Sequence, residues 1–108
     1  MTGEGSLAVE FVGTSVSSPG VNDPSGAVAN SLKPANPHFK YINLNQRGYM
    51  LIDADPSRCV CEWWHIDTVA SFGNIETFAV AYEVRDGSNR LAASVQTPSR
   101  LNPPLLAP

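Results

Sequence analysis

The stretch "NPHFKYINLNQRGYMLIDADPSRCVCEWWHIDT", residues 36–68, decides the fold and holds both histidines, both cysteines and both tryptophans of the chain. Three runs rich in apolar, aromatic and β-branched residues follow one another here, at residues 39–44, 49–54 and 58–69. Short polar sequences, "NQRG" and "DPS", separate them, and Gly48 is available for a positive φ in the first turn. The stretch therefore predicts an antiparallel meander of short strands joined by tight turns.

The sequence on either side extends this sheet. "IETFAVAYEV" at residues 75–84 predicts a fourth strand, and "RLAASVQ" at residues 90–96 a weak fifth beyond the turn "DGSN". Upstream, "LAVEFVGTSVSS" at residues 7–18 alternates well enough for a further strand until Gly13 interrupts it. We expect a β-rich chain with an antiparallel meander of about four to five strands, centred on residues 39–84.

The remaining segments are rich in proline, glycine and small polar residues. Residues 19–37 predict a long loop, in which "SGAVANSL" after Asp23-Pro24 is compatible with one or two helical turns. The tail at residues 97–108 contains four prolines in twelve residues and is expected to be extended or disordered. With 108 residues, the whole chain is expected to be one domain at most, or part of one.

The third run, residues 58–69, is unusual because neither face of the predicted strand is polar. Alternation places Val60, Trp64 and Ile66 on one face and Cys61 and Trp63 on the other. Such a strand needs cover on both sides, for example from a second sheet and a helix layer. Little helix is predicted in this chain, so we expect it to be a piece of a larger protein.

Charge and hydropathy exclude two classes of partner. The net charge of -3 and a pI near 5.1 provide no basic surface for nucleic acid or for an anionic membrane. No apolar run approaches the roughly 20 residues that span a bilayer. The N-terminal "MTGEGSLAVEF" has neither the charged region nor the apolar region of a signal peptide.

The two cysteines are interpreted as packing residues. In a strand, the Cα atoms of Cys59 and Cys61 are roughly 6.5–7 Å apart, at or beyond the limit of disulfide geometry. A C-x-C pair without further ligands is also a poor zinc site, because a structural zinc ion takes four ligands.

Few residues qualify for catalysis. His38 follows a proline where a loop meets a predicted strand, a position from which a rigid scaffold can present a functional side chain, and it is the candidate catalytic residue. His65, inside a strand, is expected to donate to a backbone carbonyl. Asp53 and Asp55 are interpreted as turn residues, because the glycine and glutamate of a calcium loop do not follow them. The sequence contains no nucleophile elbow, phosphate-binding glycine loop or H-E-x-x-H motif.

Five blocks of the sequence resemble the last third of the PhoD-like phosphatases, the alkaline phosphatase D family. They are "AVEFVGTSVSSPG" at residues 8–20, "NPHFKY" at 36–41, "RGY" at 47–49, "EWWHIDTV" at 62–69 and "ETF" at 76–78. They occur in the order that the family has, across residues 7 to 87. The resemblance implies a β-rich fragment of a four-layer α/β/β/α metallophosphoesterase fold.

The resemblance also implies an activity for the complete protein. Family members are phosphate mono- and diester hydrolases, periplasmic or secreted, that use iron and calcium to activate water. The family's metal ligands lie upstream of the AVEFV strand, and none of their motifs occurs here. We therefore expect this chain to bind no metal itself, to be inactive alone, and to act with a missing N-terminal catalytic portion on a phosphate ester. The alternative is a stand-alone, non-catalytic β-rich binding or interaction module derived from that fold.

Overall fold

The computed structural model describes residues 4–73, 75–99, 101–103 and 105. These residues form one short helix and four strands. In chain order they are α1 (Ala27–Leu32), β1 (Gly48–Asp55), β2 (Arg58–Ile66), β3 (Glu76–Arg85) and β4 (Leu91–Ser94). No helix in the described part of the chain has the length and apolar character that crossing a bilayer requires.

The four strands form a single antiparallel sheet in the order β1-β2-β3-β4. The two-residue turn Pro56-Ser57 joins β1 to β2, with Asp55 opposite Arg58 in the register. The turn from β3 to β4 uses two residues with positive φ, Gly87 at 75° and Asn89 at 50°. The β-rich antiparallel meander predicted from the sequence is confirmed. The four-layer arrangement stays a prediction, because it needs layers beyond this sheet.

Two predicted strands do not form among the described residues. Residues 39–44 cross the face of the sheet, because the Asn43 side chain closes a turn by accepting the backbone N–H groups of Asn45 and Gln46, each at 3.0 Å. The side chains of residues 7–18 pack against the sheet. The backbone of this segment makes one hydrogen bond to the sheet, in which the Ser15 carbonyl accepts the Gly48 N–H at 3.2 Å. Both strand predictions were wrong. The alternation at residues 7–18 reflects packing against the sheet, as in the contact of Phe11 with Trp63, and the run at 39–44 is interrupted by the turn at Asn43.

Gly48 is needed for space and not for a turn. It has no positive φ, and a Cβ atom at this position would lie 1.8 Å from the Trp64 carbonyl oxygen. Only glycine lets β1 begin so close to β2 at this point.

Strand β2 is the centre of the molecule. Val60 and Cys61, which point to opposite faces, are both fully buried, so the described chain itself covers the middle of this strand on both faces. On the Cys61 face, the Trp63 ring packs against the rings of Phe11, Tyr41 and Tyr82, with centroids 5.7 to 6.3 Å apart. The register between β2 and β3 shifts between Trp63 and Trp64, where Ala79 of β3 has no partner in the ladder, so β3 has a β-bulge at this point.

Large apolar side chains remain exposed around this centre. Leu7 is 90% exposed, Phe72 is fully exposed and Leu101 is 98% exposed, and Leu51 and Ile52 of the edge strand β1 are also exposed. These side chains belong to several separate segments of the chain.

Candidate functional site

His38 lies in the turn that follows α1, and its side chain is exposed. The turn is closed by a backbone bond from the Phe39 N–H to the Asn36 carbonyl at 3.0 Å, and the two rings of His38 and Phe39 meet edge to face at 4.6 Å. The imidazole borders a cavity of about 920 Å³ on the Cys61 face of the sheet, which also reaches Arg47 and His65. A catalytic role for His38 stays a prediction.

His65 lies deeper along the same cavity and is only 8% exposed. Its Nε2 atom is 3.3 Å from the Tyr41 hydroxyl, where the sequence predicted a backbone carbonyl as the partner. Burial, followed by the positive charge of Arg47, lowers the pKa of His65. Burial is also the main cause that raises the pKa of Tyr41. Both groups are therefore neutral at neutral pH.

Arg47 connects the N-terminal segment to the loop before β1. Its Nη1 atom donates to the Thr14 hydroxyl at 2.6 Å, and its Nη2 atom donates to the Leu44 carbonyl. Its Nε atom is buried and has no hydrogen-bond partner among the described residues. A Cβ atom on Gly20 would lie 2.2 Å from the guanidinium carbon, so the Arg47 side chain would have to shift if a larger residue replaced this glycine. The guanidinium is therefore held by neutral groups.

A second, smaller cavity of about 280 Å³ shares Gln46, Arg47 and His65 with the larger one, and we call it the Arg47 cavity. It lies where the loop before β1 meets the end of β2. Its polar lining comprises Asn45, Gln46, Arg47, His65, Asp67, Thr68 and Thr77.

On the opposite face of the sheet, Glu62 is a buried carboxylate, 2% exposed. One oxygen accepts the Trp64 Nε1–H at 2.8 Å, and the other accepts the Thr97 N–H at 2.5 Å and the Thr97 hydroxyl. Burial by itself raises the pKa of Glu62, but the hydrogen bonds from Thr97 and Trp64 outweigh it, so that the pKa is lowered. We call these three residues the Glu62 cluster. It ties the segment after β4 to the central strand.

The aspartates have the turn role that the sequence predicted. Arg58 forms ion pairs with Asp53 at 3.3 Å and with Asp55 at 3.4 Å. Asp55 also accepts hydrogen bonds from the side chain and the backbone of Ser57, which lower its pKa. Both carboxylates are thus engaged in the β1–β2 turn.

The described residues contain no group of three or more histidine, cysteine, aspartate or glutamate side chains that could hold a metal ion. Cys59 and Cys61 are both free thiols. Burial, with the charges of Cys59 and Glu62, raises the pKa of Cys61 to about 12. Cys61 is therefore a protonated packing group and not a thiolate ligand.

Two groups of residues come together only in the folded chain. Arg47, Tyr41 and His65 lie within 24 positions of one another, yet only folding of the loop across the sheet brings them together. Glu62 meets Thr97 across 35 positions. The sequence contained one signal for the second group, because Glu62 lies at the otherwise apolar centre of a strand. A carboxylate that is buried there requires hydrogen-bond donors from elsewhere in the chain.

The comparison with family models identifies one family. The model described as PhoD-like phosphatase matches residues 1–63, from the N-terminal segment to the middle of β2. Neither a curated protein nor a solved structure matches the chain.

Proposed function

The chain belongs to the PhoD-like phosphatase family, and we propose that it is the C-terminal part of an enzyme that hydrolyses phosphate mono- and diesters. The observation that carries this proposal is the family match across residues 1–63. The exposed apolar side chains on several sides of the sheet support it, because further layers of an α/β/β/α fold would cover them. We also propose that the complete enzyme is periplasmic or secreted.

In this proposal, the chain contributes scaffold and no metal ligands. The described residues do not fit iron or calcium, since they bring no three suitable ligands together. Metal ligands would come from the catalytic portion that precedes the segment in the family. His38 is the residue of this chain that we propose to contact the substrate phosphate, because it is exposed beside the larger cavity and held at a proline-restricted position.

The test is a chimera in which this chain replaces the corresponding segment of a complete PhoD-like phosphatase. We expect hydrolysis of p-nitrophenyl phosphate and of its bis-ester to stay within about tenfold of the parent enzyme. Trp63→Ala in the chimera should abolish folding or activity, because it removes the aromatic packing on β2. The matched control is Phe72→Ala, which changes an exposed ring. A folded chimera without hydrolysis would contradict the proposal and favour the non-catalytic module.

A further inference from the structure

Asp23 is a buried carboxylate, 4% exposed, in the loop that precedes α1. Its two carboxylate oxygens accept the backbone N–H groups of Val28 and Ala29, at 3.1 and 2.9 Å. Its own backbone N–H donates to the Asn45 side-chain oxygen at 3.1 Å. We propose that Asp23 is a positioning residue for His38, a role that rests on the proposed function of His38 as the contact with the substrate phosphate.

The first argument is that α1 obtains its N-terminal cap from Asp23. The helix has six residues, and a helix of this length is not stable by itself in water. Its N-cap position is occupied by Gly26, which has a φ of 71° and no side chain that could accept the first N–H groups of the helix. The Asp23 carboxylate accepts two of these groups from three positions upstream. Removing the carboxylate should therefore destabilise α1.

The second argument is that the end of α1 holds the turn that contains His38. The Leu32 carbonyl accepts both the backbone N–H and the side-chain NH₂ group of Asn36, at 3.1 and 3.0 Å. The Asn36 carbonyl in turn accepts the Phe39 N–H at 3.0 Å. His38 thus lies inside a hydrogen-bonded turn that is attached to the last residue of the helix. Loss of the helix would release this turn.

The third argument is that Asp23 fixes the helix and the turn relative to the sheet. Its partner Asn45 lies three residues before β1 begins at Gly48. Among the described residues, this bond is the only hydrogen bond that joins residues 23–39 to another part of the chain. Asp23 therefore determines where the imidazole of His38 stands beside the larger cavity that it borders.

Amide hydrogen exchange in the chimera, followed by mass spectrometry, tests the positioning without requiring activity. In Asp23→Ala, the peptide covering residues 36–41, which contains the Phe39 N–H, should exchange about fivefold faster, because this is the typical effect of losing a helix cap. Peptides from β2 should be unchanged. Asp86→Ala removes an exposed carboxylate from the turn between β3 and β4 and is the matched control. Unchanged exchange of residues 36–41 in Asp23→Ala would overturn the proposal.

Kinetics show whether Asp23 acts through His38. Asp23→Ala should lower kcat/KM of the folded chimera for p-nitrophenyl phosphate about fivefold. In a His38→Ala background the same substitution should change kcat/KM less than about twofold, because no imidazole remains to be misplaced. Asp23→Asn retains a side-chain oxygen that accepts an N–H group, and should restore most of the activity.

Two kinetic results would contradict the positioning role. An equal loss in both backgrounds would make Asp23 purely structural, and no loss in either would show that the cap does not affect His38. An inactive parent chimera would instead refute the proposed function, and the exchange measurement would still decide whether Asp23 holds the His38 turn.

Discussion

Replacing Glu62 by glutamine tests whether the Glu62 cluster holds the segment after β4 against the sheet. Glutamine has nearly the same shape, but one of its two terminal atoms is an NH₂ donor. Whichever way the amide turns, this donor faces either the Trp64 indole N–H or the two donors of Thr97. When the NH₂ group faces Trp64, both bonds from Thr97 remain, but their acceptor is then neutral, which lowers the contribution of each bond from about 1.5–3 to about 0.5–1.5 kcal/mol. We expect the attachment of Thr97 to weaken by about 2 kcal/mol.

Amide hydrogen exchange at Thr97 measures this attachment directly, because its N–H donates to Glu62. A loss of about 2 kcal/mol corresponds to about 30-fold faster exchange. Glu83→Gln is the matched control. Glu83 is a carboxylate of the neighbouring strand, and it binds Arg85 and Ser94 instead of Thr97. If Thr97 exchanges at the same rate in the wild-type chain and in Glu62→Gln, the cluster does not hold the segment and our reasoning is wrong.

The same cluster predicts a dependence on pH. The pKa of Glu62 is lower in the folded chain than its usual value of 4.5. Its contribution to stability is therefore complete above pH 4.5 and is lost as the pH falls through the folded-state pKa. Tyr49 and Cys61, the other titratable groups that interact with it, have pKa values raised to about 12 and stay neutral in this range. Tryptophan fluorescence should report a transition below pH 4.5 that is absent in Glu62→Gln, and a transition near pH 6 would contradict this assignment.

Three further predictions concern activity and association. The isolated 108-residue chain should hydrolyse neither p-nitrophenyl phosphate nor its bis-ester with calcium and iron supplied, and turnover that survives repurification would disprove this. In a complete enzyme restored around this segment, His38→Ala should lower kcat/KM at least tenfold, or about 1.4 kcal/mol, with little change in Tm because the side chain is exposed. A loss of Tm with normal kinetics would instead make His38 structural. The isolated chain should associate or remain partly molten, because apolar side chains such as Leu7 and Phe72 are exposed. A monodisperse monomer on size-exclusion chromatography, with a sharp melting transition in calorimetry, would contradict this prediction.

The sheet itself was largely predictable, because local sequence determines it. Strands β1 to β4 coincide with four apolar runs, and the turns between β1 and β2 and between β3 and β4 fall at "DPS" and "DGSN". Period-two alternation and turn residues are short-range signals that need no knowledge of the rest of the chain. The same signals failed at residues 39–44, where a run typical of a strand is interrupted by the Asn43 side chain. A competing side-chain bond to the backbone overrides a weak strand propensity there.

The site residues were much less predictable, because their roles depend on contacts between distant segments. Arg47 acquires its role from Thr14, 33 positions away, and Glu62 from Thr97, 35 positions away. Neither partner is distinguishable in the sequence from the other threonines of the chain. What can be stated from the sequence is a physical requirement. A guanidinium or a carboxylate that becomes buried on folding needs hydrogen-bond partners from other parts of the chain. Glu62 meets this requirement fully within the described chain.

Arg47 does not meet the same requirement, and this difference separates the two faces of the sheet. Its Nε–H is buried without a partner, and an unsatisfied buried donor costs about 1–3 kcal/mol. The guanidinium is nevertheless fixed by Thr14, by Leu44 and by the passage of the chain at Gly20. The Glu62 carboxylate is therefore fully hydrogen-bonded within the described chain, whereas Arg47 keeps one buried donor that no described residue satisfies.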